Sequence, residues 1–189
     1  MTVNLAQLWL PILLGTGLAW IVSGIIHMVI KYHNSDYQRL TNEDEVISAL
    51  RNGSPSPGTH PIPYCIDMNE MKDEQMQQKF KEGPIGMVTI MPSGMPPMGK
   101  LMVQQISFFL LGCIAIAYCA TLALDPGADY MVVFRFVGTV GFLAFGWAVI
   151  PFSIWFGFTW SMTGKYLLDA FVYGLVVAGS FAWLWPAAG

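Results

Sequence analysis

LMVQQISFFLLGCIAIAYCATLAL, residues 101–124, carries no formal charge over 24 positions, with Lys100 before it and Asp125-Pro126-Gly127 after it. A helix rises about 1.5 Å per residue and a bilayer core is about 30 Å thick, so about 20 apolar residues suffice to cross it. The same count finds three further spans, at residues 8–30, 131–152 and 166–185. The reading is an all-α membrane protein with four transmembrane helices and a segment of about 70 residues between the first two.

Composition agrees. The chain has 189 residues, of which 54% are hydrophobic and 11% charged, against roughly 25% charged in soluble domains. A net charge of −3 leaves no electrostatic footprint for nucleic acid. Cys65, Cys113 and Cys119 form no paired framework. Cys113 and Cys119 fall roughly 240° apart around a helix, so they do not share a face. The N-terminal stretch lacks a basic n-region and a cleavage motif, so it is expected to stay as an anchor.

Three regions follow: an N-terminal span in 1–30, a polar segment at 31–100 and a three-helix membrane region at 101–189. The polar segment holds seven of the nine Lys/Arg and nine of the twelve Asp/Glu. Within it, Thr41 is expected to cap a helix to about Arg51, and Asp67 or Asn69 a second helix to about Glu82. Four prolines between 55 and 63 favour an extended track. The β-like residues 85–91 are expected to pair with 62–66 across the second helix as a minimal βαβ unit. Lys31, Lys100 and Lys165, close to span ends, place 31–100 in the cytoplasm and both termini outside.

Small residues in the spans, among them Gly17, Gly24, Gly138, Gly141 and Gly174, are the expected close-packing positions. Arg135 and Asp169 are the two charges inside spans. Arg135 is expected to meet Asp125 or Asp129 or to snorkel, and Asp169 to pair with Lys165 four residues before it. With Gln104 and Gln105 they form the candidate polar core of a transporter or channel. His27 is the one span histidine, so a single chain cannot supply two facing haem imidazoles from its spans; a shared site or a Met partner stays open. Its expected partners are Gln104 or Gln105. His33, His60 and Cys65 are candidate ligands for zinc or copper. Met91, Met95 and Met98, which with Met87 form a thioether-rich tract, are candidates for copper(I). No phosphate loop, dinucleotide fingerprint, nucleophile elbow or HExxH is present, so no catalytic residue or cofactor is assigned.

Several runs carry a resemblance: SGIIHM at 23–28, Ser35-Asp36-Tyr37, residues 43–51, GPIGMVTIMPSGMPPMGK at 83–100, and the stretch from Ser153-Ile154-Trp155 through Trp183-Leu184-Trp185-Pro186. With these the chain resembles a family of bacterial inner-membrane proteins, over most of its length. The resemblance implies a bacterial multi-span protein and no activity. The expected role is a non-enzymatic membrane subunit, accessory to a larger complex or a homo-oligomer, with the bilayer, other membrane subunits or copies of itself as partners and no nucleic acid. A transporter or a metal or haem protein are the alternatives.

Overall fold

The computed structural model describes residues 3–188. Four helices are long and apolar enough to cross a membrane: Leu5–Ile30, Met98–Ala123, Tyr130–Trp155 and Trp160–Trp183. The first opens on a 3-10 turn capped by Asn4, with Gln7 closing a capping box, and continues as α1 (Trp9–Gly24). It ends in a π-helical stretch, Ile25–Ile30. Between it and the next span lie α2 (Glu43–Gly53), β1 (Gly58–Ile62), α3 (Glu74–Glu82) and β2 (Gly86–Ile90). Then come α4 (Met98–Ala123), α5 (Tyr130–Gly146), the short α6 (Ile150–Trp155) and α7 (Trp160–Trp183). The last span begins six residues before the expected 166, because Thr159 accepts from the backbone N–H of Met162 and starts the helix there.

The chain divides into two compact units, one of residues up to Asp36, Pro97–Pro151 and from Thr159 on, the other of Tyr37–Pro96 with Phe152–Phe158. The first unit packs α1, α4, α5 and α7 around Phe109, Cys113, Ile116, Val133, Val137 and Phe181, all fully enclosed. The broadest interface joins α5 to α7, and glycine makes it possible. A Cβ on Gly174 would stand 3.0 Å from both the Gly138 carbonyl oxygen and the Phe142 amide nitrogen, and one on Gly141 would stand 3.1 Å from Gly174 Cα. Dispersion and close backbone approach hold helices together where lipid is as apolar as leucine. Gly17 has open space where its Cβ would be, and Gly24 meets only the end of Met28, so these two do not serve packing within the chain. At the far end, Trp185 Nε1 donates to the Asp125 carbonyl at 3.0 Å, tying the chain end to the α4–α5 turn.

In the second unit β1 and β2 pair antiparallel, with Gly58 opposite Ile90, His60 opposite Val88 and Ile62 opposite Gly86. This corrects the expected βαβ crossover. A parallel pair needs both faces covered, and one nine-residue helix cannot do that. Asp73, rather than Asp67 or Asn69, caps α3, accepting from the Met76 N–H at 3.2 Å. Not one of residues 37–96 is buried.

Candidate functional site

The site starts from a defect in a helix. Residues 25–30 close π-type hydrogen bonds, and Lys31 turns left-handed at φ 57°, its N–H returning to the Ile26 carbonyl at 2.9 Å. A left-handed non-glycine residue is strained and persists only where its surroundings hold it. Here the reversal folds the next turn, Tyr32–Asp36, back onto α7. In a regular helix His27 and His33, six apart, would lie roughly 240° from one another. The π turn and the reversal instead stack their rings, with centroids 4.9 Å apart and planes within 6°.

Asp169 is the centre. Its side chain is 3% exposed. Oδ1 accepts the Tyr32 hydroxyl, and Oδ2 lies 2.9 Å from His33 Nε2 and 3.9 Å from His27 Nε2. The expected Asp169–Lys165 pair is therefore not formed. Lys165 turns the other way and donates to Tyr32 O at 3.0 Å, Ser35 Oγ at 2.7 Å and Asp36 Oδ1 at 2.5 Å. An ammonium has three hydrogens, and all three are spent on the Tyr32–Asp36 turn. Asp36 completes the network, its Oδ2 lying 3.0 Å from His33 Nδ1. The reason for the change of partner is burial: a carboxylate so enclosed must be met by several donors, and the folded-back turn offers two.

Electrostatics follow from these contacts. The Lys165 ammonium holds the Asp36 carboxyl below its ordinary range, with His33 adding to the effect against the cost of burial. Burial, and then the bond to Asp169, raise the Tyr32 hydroxyl, which stays a protonated donor. No buried side-chain nitrogen or oxygen among the described residues lacks a partner.

Of the sequence candidates, only His27 and His33 join Asp169. His27 Nδ1 donates to the Ser23 carbonyl at 3.0 Å, not to Gln104 or Gln105. Gln104, Gln105 and Arg135 are exposed and do not join Asp169 in the interior. Among the described residues Arg135 forms no ion pair with Asp125 or Asp129, one of the two arrangements expected of it beside snorkelling. His60 and Cys65 belong to the second unit, where His60 Nε2 donates to Ser56 O at 2.9 Å and Cys65 Sγ donates to Asp67 O at 3.6 Å. Burial, with Glu70 and Asp67 nearby, raises the Cys65 thiol, which disfavours the thiolate a metal would need. Met91, Met95 and Met98 are exposed. Sequence reasoning missed Tyr32 and Asp36 as site members, and gave Lys165 to Asp169 rather than to Asp36. The available signal was density: six hydrogen-bonding or ionisable side chains in Lys31-Tyr32-His33-Asn34-Ser35-Asp36, immediately after a span.

Fold and site together define a four-span α-helical membrane protein with a buried His–Asp–Lys network where the first and last spans meet. No protein family, curated protein or solved structure matches the chain.

Proposed function

We propose that the chain is a non-enzymatic subunit of a larger membrane complex, and that residues 37–96 are the surface on which a partner protein docks. One observation carries this reading: these 60 residues contain two helices and a two-stranded ribbon, yet none is buried. Tyr64, Ile66, Met68, Ile85, Met91 and Met95 stand largely exposed. A segment that buries so little of its own apolar surface gains it elsewhere. Charge selects the kind of surface. Residues 37–96 carry five Lys/Arg against eight Asp/Glu, a net charge of −3. Anionic lipid repels such a segment, whereas a protein with a basic rim and an apolar centre complements it. A cleft lined by Ile62, Tyr64, Met76, Lys79 and Glu82 supplies a recess of mixed character.

The setting in this reading is the inner membrane of a bacterium, as the family resemblance implies, with 31–100 cytoplasmic and the termini periplasmic, as the lysines at span ends favour. The test is native purification in mild detergent with mass spectrometry of the intact assembly. A foreign subunit in stoichiometric amount is expected, and it should be lost when Tyr64, Ile66 and Met68 are changed together to Ser. A chain that runs alone, or only with its own copies, overturns the proposal.

A further inference from the structure

The geometry points to a metal site: His27 Nε2, His33 Nε2 and Asp169 Oδ2 form a three-ligand site for one divalent transition-metal ion of the zinc class. These donor atoms all lie within 4.8 Å of one another. The inference is independent of the docking surface, which lies in the other unit.

The tautomers carry the argument. A backbone carbonyl only accepts, so the His27 nitrogen that faces Ser23 O at 3.0 Å, Nδ1, bears the hydrogen. His33 stands between two carboxylates, with Nδ1 3.0 Å from Asp36 Oδ2 and Nε2 2.9 Å from Asp169 Oδ2, and Asp36 is positioned to take the Nδ1 hydrogen when Nε2 binds an ion. Both rings thus present Nε2 as their inner atom, and both point to the same carboxylate oxygen. A metal-ligating histidine almost always donates its other N–H to a carboxylate or a backbone carbonyl, which fixes the tautomer and raises ligand basicity. Here one histidine has the first kind of partner and the other has the second. Asp169 is prepared in the same way: the Tyr32 hydroxyl occupies Oδ1 and leaves Oδ2 for the ion.

Distances and donor types name the class. Zinc bonds of about 2.0–2.1 Å in tetrahedral array put neighbouring ligand atoms about 3.3 Å apart. The observed 2.9 Å and 3.9 Å bracket that value. His33 and Asp169 are buried and fixed, whereas the His27 side chain is 43% exposed, so rotation of this one ring closes the triangle. Two imidazoles and a carboxylate are borderline donors that suit zinc and its first-row neighbours; copper(I) wants sulfur, and calcium wants more oxygens. Rings stacked 4.9 Å apart leave no space for a haem between them. The exposed side of His27 leaves a fourth position for water.

The full chain, purified in detergent and stripped with EDTA, is titrated with zinc by calorimetry and with cobalt(II) by visible absorbance. One ion per chain is expected, with the d–d bands of a four-coordinate cobalt site. His27→Ala should remove those bands and weaken zinc binding at least about 100-fold, because His27 is a direct ligand and its loss exceeds the 10–100-fold typical of an outer-shell change. That outer-shell loss is expected for Asp36→Asn, and none for His60→Ala. His33→Ala and Asp169→Asn disturb the buried network itself, so His27→Ala, on a half-exposed ring, decides the matter. A wild-type chain that takes up neither ion, or uptake unchanged in His27→Ala, overturns the site.

Discussion

At the scale of residues, the network at Asp169 binds the two ends of the membrane region together through charge. Asp169 is reached from Tyr32 and His33, more than 130 positions earlier in the chain. Removing one partner of a buried ionic contact strands the other and costs about 3–5 kcal/mol. Asp169→Leu is therefore expected to lower unfolding stability in detergent by that order, leaving the Tyr32 hydroxyl and His33 Nε2 without their partner; a loss below 1 kcal/mol would show the network to be incidental. Asp36 gives a pH test. Its folded pKa is depressed, so its contribution is present above the ordinary carboxylate value near 4 and is lost as pH falls through the lowered folded value. The melting-point gap between wild type and Asp36→Asn should stay level from pH 6 to 5 and close below about pH 4. A gap already closed at pH 5 contradicts the Lys165–Asp36 contact as its source.

At the scale of elements, α5 and α7 meet across glycines rather than across interlocking large side chains. Gly174→Val places branched carbon against backbone atoms that a Cβ alone would approach to 3.0 Å. Overpacking of this kind costs typically 1–3 kcal/mol, and the unfolding midpoint in micelles should fall accordingly. Gly17→Ala meets nothing within 4 Å, so it should stay within about 0.5 kcal/mol of wild type. Equal effects from the two would refute the close-packed seam. The glycines at 138, 141 and 174 were legible in the sequence because small residues inside an apolar span have few uses other than close approach. Gly17 and Gly24 share that signature, and only their neighbours in space separate the two groups. The ribbon was misread for a related reason: composition marks an extended run but does not say which direction its partner takes.

At the scale of the whole molecule, the two units differ in what protects them. The four-span unit has an enclosed core, whereas residues 37–96 have none. Local opening costs little where few contacts are buried. Limited trypsin treatment of the isolated chain should therefore cut first at Arg39, Arg51, Lys72, Lys79 or Lys81 and leave the spans intact. The docked partner should slow those cuts at least severalfold, and equal rates with and without it would count against docking on this segment.

The sequence by itself determined the environment and the architecture. Twenty-odd apolar residues in a row are long enough for a spanning helix, the local structure that satisfies its own backbone polar groups in hydrocarbon. It also marked Asp169 and His27 as singular within the spans, and His33 as a candidate ligand beside His60 and Cys65. Their union was decided only by tertiary structure. Helical spacing sets His27 and His33 apart, and local pairing assigns Asp169 to Lys165. A π-helical turn and one left-handed residue, Lys31, cancel both of those readings. Contacts across more than 130 residues depend on where a chain reverses, and that reversal is held by the packing it makes possible rather than by the propensity of any residue in it.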